Sequence, residues 1–219
     1  MAPVFREKNR TTLMHQALEG IRDAIKTRKL KPGDRLIETQ LANEMQISRF
    51  PIREALRYLE KEGLVVTKPF KGTYVSRFNK KDLKELYSLR SAIEELAIRL
   101  LIKNTDPDKI QQLASVLTSM ENAADDKDMD RVIYEDMRFH ETICELSGHR
   151  KLIEIWKSLE NQTKVFITIE KELWSQDIEK FPLSHQPILL AIKSGNSSFA
   201  EQVIRTHLEN AIQLYTLLT

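Results

Sequence analysis

The chain contains one cysteine, Cys144, so no disulfide framework can form within it. It contains no apolar run long enough to span a bilayer, and its first ten residues, MAPVFREKNR, lack the apolar core of a signal peptide. A cytoplasmic protein with no membrane contact is therefore expected. No internal repeat and no low-complexity segment is visible. There is also little net charge, +2 at neutral pH. That small number conceals an asymmetry: residues 1–78 hold 16 Lys and Arg against 9 Asp and Glu, a balance of +7, and the remainder holds 18 against 23, a balance of −5. A basic half beside an acidic one points to nucleic-acid binding at one end and a different task at the other. At 219 residues, 41% hydrophobic and 30% charged, the chain can build two soluble domains, each with its own core.

The basic half is organised around ETQLANEMQISRFPIREALRYLE, residues 38–60, which reads as two short helices joined by a tight turn. Leu41, Ala42 and Met45 fall at helical spacing, the chain turns at Gln46-Ile47, and Ser48 is placed to cap the next helix. Pro51 fits the first turn of that helix, where backbone N–H groups have no intrahelical partner. At 100° per residue Ile52, Ala55, Leu56 and Leu59 share one side, and Arg49, Phe50, Arg53, Arg57 and Lys61 share the other. A helix with an apolar back and a cationic front fits the DNA major groove. An αα-hairpin with a solvated basic face is the plainer alternative for a lone helix pair. The context favours DNA, because LVVTKPFKGTYVSRF after Gly63 reads as a two-stranded hairpin with Lys71 and Gly72 at its tip, the wing of a winged helix-turn-helix.

These residues carry a family resemblance. The ordered string LKPGDRLIETQLA, ISRFPIREALRYLEKEGLV and KGTYV resembles the DNA-binding domain of the GntR family of bacterial transcription regulators over about residues 11–77. The resemblance implies that Arg49 and Arg53 contact bases or phosphates, that Thr39 sits near the DNA backbone at the start of the preceding helix, and that Gly72 lets the wing tip approach the minor groove. Phe50 stands where the family usually has a threonine, which bears on operator preference. Gln46 stands where a turn glycine is common, and in the αL conformation a non-glycine residue there costs on the order of 1 kcal/mol.

Before this motif, residues 11–30 place Leu13, Ala17, Leu18, Ile21, Ala24, Ile25 and Leu30 on one face, predicting a supporting helix ended by Lys31-Pro32-Gly33-Asp34. After it, the Phe78-Asn79-Lys80-Lys81 junction leaves little room for a flexible tether before a long helix from about Asp82. A domain boundary at residues 78/79 follows. From there helical periodicity recurs with breaks near 105–107, 125–128, 147–148, 175–182 and 194–196, predicting about six helices, near 82–103, 107–124, 128–147, 149–173, 183–194 and 197–218. The fold class is thus mostly α: an N-terminal winged helix-turn-helix followed by an all-α antiparallel bundle.

The third helix of that bundle turns Ile133, Asp136, Met137, His140, Ile143, Cys144 and Ser147 inward. A carboxylate and an imidazole on an apolar face require partners or a metal, and a structural hydrogen bond between them is the plainer account. Two more histidines behave alike: His185 precedes Ile188, Leu189 and Ile192, and His207 lies between Val203, Ile204 and Ala211, Leu214. Three inward histidines and an aspartate on three helices look convergent. Of the other two, His15 lies in the basic half, and His149, at a helix junction beside Arg150, reads as solvated. On the helix near 82–103, Leu86, Arg90, Ile93, Ala97 and Leu100 form the inward stripe with Glu94 one turn after Arg90. Arg90 can pair with Glu94 or hold a ligand carboxylate bidentately, and both readings stand.

The segments DMRFHETICELSG, HQPILLAIKSGN and THLENA are similar to the FCD type of GntR regulator, and six helices resemble its shorter, VanR-like branch. The resemblance implies a divalent metal bound by Asp136, His140, His185 and His207. Such a donor set suits Zn, Ni, Mn or Fe. A regulator of this family is most often a repressor, and a homodimer on a palindromic operator is expected; the open positions of a four-ligand ion could be filled by water or by the oxygens of a small carboxylate effector. A metal-dependent regulator with a structural or sensory metal and no organic effector is the alternative. No convergent general base or nucleophile stands out, so an enzyme is not expected.

Overall fold

A computed structural model describes residues 13–169 and 178–218. It divides into two compact units between Arg77 and Phe78.

In the first unit, α1 (Leu13–Lys26) packs its buried Ala17, Leu18, Ile21 and Ile25 against α3 (Arg49–Lys61). Helix α1 is shorter than the apolar pattern predicts: it stops at Lys26, Arg28 turns the chain at φ 53°, and Leu13 stays exposed. Arg22 donates to both carboxylate oxygens of Glu62 at 2.7 and 2.8 Å, linking α1 to the end of α3. Between them lies α2 (Glu38–Glu44), which buries Leu41 and Ala42. Ser48 takes the N-cap position of α3 but makes no side-chain cap bond, so that expected stabilisation is missing. Gln46 does adopt the left-handed conformation, φ 54°.

The hairpin strands β2 (Val65–Lys68) and β3 (Gly72–Val75) are antiparallel, with Val65 opposite Val75 and Lys68 opposite Gly72. The sheet has three strands where the sequence predicts two, because β1 (Arg35–Leu36) pairs with β3 on its other edge, Arg35 opposite Tyr74. A two-residue strand carries no readable alternation, which is why the pattern missed it. The hairpin turn is Pro69-Phe70-Lys71, so Lys71 is at the tip while Gly72 opens β3 at φ 110°, where a Cβ would crowd Arg35 Nε at 3.2 Å.

The second unit comprises α4 (Lys80–Lys103), α5 (Pro107–Asp125), α6 (Met129–Leu146), α7 (Arg150–Ile169), α8 (Lys180–Lys193) and α9 (Ser197–Leu218). Helix α4 starts two residues earlier than predicted because Asn79 and Asp82 form a reciprocal capping box: Asn79 Oδ1 accepts from Lys81 and Asp82 N–H at 2.8 and 2.9 Å, and Asp82 accepts from Asn79 N–H at 3.0 Å. The break predicted at 175–182 ends sooner, since Lys180–Pro182 form the first turn of α8; residues 170–177 lie outside the described structure. Helix α4 packs against α9, α6 and α7, and α5 against α6 and α8, around a core that includes Leu83, Ile98, Leu101, Phe139 and Trp156. The buried stripe of α4 is rotated slightly from the prediction. Ile98 and Leu101 are fully buried, whereas Ile93 and Leu100 are half-buried.

Candidate functional site

The whole inward stripe predicted for α6, from Ile133 to Ser147, is buried, with Asp136 and His140 one turn apart on it. Helix α8 brings the buried His185, and α9 the half-buried His207, to the same point. One ring nitrogen from each of His140, His185 and His207 lies within 4.8 Å of the others, and Asp136 Oδ1 is 3.1 Å from His185 Nε2. The four side chains line a cavity of about 580 Å³ in the second unit, with Arg90 and Tyr87 on the same wall.

The ring nitrogens facing away from this point are already committed. His185 Nδ1 lies 2.6 Å from the Phe181 carbonyl, which can only accept, so Nδ1 carries the hydrogen. His140 Nδ1 lies 2.5 Å from Glu94 Oε2. Burial acts to raise the Glu94 carboxyl, but His140, Arg90 and the Trp156 indole outweigh it and hold its pKa at about 2, so Glu94 accepts here too. In the neutral imidazoles both Nε2 atoms therefore present bare lone pairs. These two atoms face one another at 3.3 Å, beside the Asp136 oxygen. Three converging acceptors fit a cation, and a carboxylate or carbonyl behind each imidazole is the arrangement that orients metal-ligating histidines. For His207, loss of bulk water holds the imidazole well below its usual pKa, which keeps it in the neutral, ligating form.

Of the two readings of Arg90, the pairing with Glu94 is present. Its Nε donates to Glu94 Oε1 at 3.0 Å. Its Nη2 is 2.9 Å from the same oxygen, yet its N–H bonds do not point there, and it has no hydrogen-bond partner although the residue is 2% exposed. Glu94 is the residue that the sequence under-reads: besides Arg90 and His140, it accepts from Trp156 Nε1 at 3.2 Å. Its place on the stripe of α4 was legible, but its partners 46 and 62 residues away were not. His149 is exposed as expected, and its Nδ1 accepts the Leu152 N–H at 3.1 Å, capping α7.

In the first unit the predicted DNA-facing residues sit on one unit but in three settings. Arg49, Phe50 and Arg53 are exposed on α3, Phe50 at 71%. Thr39 is exposed in the first turn of α2, and Lys71 and Gly72 belong to the wing. Arg57 is held by Glu54 at 2.8 Å, and both Arg49 and Arg53 bond to Glu38, a contact that no spacing rule announces. Lys61, the last cation of that front, is exposed and lies over the Tyr58 ring, 5.4 Å from its centroid.

A winged helix-turn-helix followed by a helical unit defines a DNA-binding transcription regulator of the two-domain bacterial type. Two family models match: "Bacterial regulatory proteins, gntR family" over residues 13–75 and "FCD domain" over residues 85–210. An uncharacterized HTH-type transcriptional regulator, YdhC, of Bacillus subtilis is 32% identical over 178 residues, covering 81% of this chain and 79% of that protein. The gluconate operon transcriptional repressor of Bacillus licheniformis is 29% identical, covering 83% and 78%. Among solved structures, Escherichia coli McbR/YncC aligns with a TM-score of 0.65 at 23% identity, over 96% of this chain and all of that one, a likeness of fold. The chain belongs to the GntR family, as a regulator with an FCD domain. Its relatives are transcription regulators, not enzymes. No described helix is long and apolar enough to cross a membrane.

Proposed function

We propose that this regulator is a repressor whose homodimer binds a palindromic operator. Its DNA affinity is set by a small carboxylate metabolite bound at a divalent metal ion. Asp136, His140, His185 and His207 would hold that ion, as Zn, Ni, Mn or Fe. The observation carrying the metal is the set of three bare acceptors, His140 Nε2, His185 Nε2 and Asp136 Oδ1, gathered in a buried cavity with both Nδ1 atoms engaged elsewhere. Lone pairs converging in this way repel one another unless a cation lies among them. When bound, the metal supplies a Lewis acid with open positions for ligand oxygens.

The carboxylate effector is supported by Arg90 Nη2, which is buried on the wall of the same cavity and, though close to Glu94, makes no hydrogen bond. A guanidinium edge there suits a carboxylate oxygen, and about 580 Å³ accommodates a small organic acid. Two relatives named as gluconate operon repressors support the repressor reading. Exposed Leu89 and Leu96, two turns apart on α4, support association between copies. The six described helices of the second unit support placement in the VanR-like branch, and an operator-binding role supports a cytoplasmic location. In this reading, effector binding changes the spacing of the two winged helices on the half-sites.

The test is a thermal-shift screen of metal-loaded protein against small organic acids, repeated after chelation. A native-state ligand at a hundred times its Kd adds about 2.7 kcal/mol of stability. An acid whose stabilisation disappears on chelation supports a metal-anchored effector. A transition lowered by chelation and unmoved by every acid would favour a structural or sensory metal instead.

A further inference from the structure

Glu38, the first residue of α2, reaches across the helix-turn-helix to two arginines of α3. Arg53 donates to it side-on, from Nε to Oε1 at 2.9 Å and from Nη2 to Oε2 at 2.8 Å. Arg49 Nη2 donates to the same Oε2 at 3.1 Å. The Glu38 side chain is 27% exposed and those of Arg53 and Arg49 are 49% and 58% exposed, so all three lie at the surface that α3 presents.

The side from which Arg53 is held matters. A guanidinium has five N–H groups in a rigid fork. Using Nε and one hydrogen of Nη2 on the side edge leaves the end edge, one hydrogen each on Nη1 and Nη2, free. That end edge is what pairs bidentately with guanine O6 and N7 in the major groove. A free arginine on a helix surface samples many rotamers, and ordering it opposes binding. With Glu38 in place the fork is ordered before DNA arrives, and its direction is set from the neighbouring helix.

We infer that Glu38 is a specificity-determining positioning residue, which fixes Arg53 side-on so that its end edge reads a guanine. The inference rests on the reading of α3 as the DNA-facing helix. Its charge sign separates it from simple attraction. A carboxylate beside DNA phosphates lowers general affinity, so a residue that mattered only through charge would, once neutralised, tighten binding to every sequence alike.

The test uses the full chain and a duplex selected by the wild-type protein from a random library, with single G·C replacements across each half-site. Arg53→Ala locates the position that Arg53 reads. At that position wild-type discrimination is expected to fall about tenfold or more in Glu38→Gln, while affinity for random duplex is unchanged or higher. Glu38→Asp keeps the charge and shortens the reach, and it is expected to lose discrimination at the same position without gaining random-duplex affinity. Circular dichroism confirms that each variant is folded, and the two variants differ enough that one misfolding leaves the other as the test. If Arg53→Ala relaxes one position and both Glu38 variants keep wild-type discrimination there, the inference is overturned and Arg53 still reads DNA. If Arg53→Ala relaxes no position, base reading by Arg53 fails and the inference fails with it.

Discussion

His140 Nδ1 lies 2.5 Å from Glu94 Oε2, a bond between α6 and α4 that fixes which nitrogen of His140 faces the cavity. Losing such a partner behind a metal ligand ordinarily weakens metal binding by about 10–100-fold. Glu94→Gln is expected to reduce metal affinity by that order, read by competition with a chromophoric chelator. Unchanged affinity would show that the bond serves packing alone.

Removing ligands should be more drastic than removing their support. In a His140→Ala, His207→Ala double variant, metal content by elemental analysis is expected to fall to near zero, with DNA binding in the effector-free state retained. Full occupancy would sink the proposed ligand set.

Gln46 holds φ 54° on an exposed turn between α2 and α3. Left-handed backbone at a non-glycine residue costs about 1 kcal/mol, and glycine returns part of that gain by loosening the unfolded chain. Gln46→Gly is expected to stabilise the first unit by about 0.5 kcal/mol, seen as a higher urea midpoint with an unchanged slope. A lower midpoint would mean that the Gln46 side chain contributes more than its backbone costs.

Two ion pairs join α4 to α9: Arg99 Nε to Glu201 Oε1 at 2.9 Å and Arg205 Nε to Glu95 Oε1 at 3.1 Å. Hydrogen bonds from these arginines lower both carboxyl pKa values. A carboxylate lowered in the folded state contributes stability above its unfolded pKa, near 4.3, and that contribution is lost as pH falls through the folded value. An Arg99→Ala, Arg205→Ala variant should therefore melt lower at pH 7 and lose less stability than wild type between pH 5 and 3. Parallel acid limbs for the two proteins would show that the pairs contribute nothing.

Sequence by itself determined what local periodicity can encode. The buried faces of α3 and α6, the basic front of α3, the hairpin after Gly63, and the inward placement of Asp136, His140 and His185 all follow from which residues recur every three to four positions or alternate. Composition added the contrast of basic and acidic halves. Tertiary structure decided the partnerships, because they join residues that no period relates. Glu38 meets Arg53 across a turn, Glu94 meets His140 and Trp156 across two helix interfaces, and Arg35 brings a third strand to the wing. The side from which a guanidinium is held, and the ring nitrogen left free on a histidine, depend on the side chain opposite, and only the folded chain chooses that neighbour.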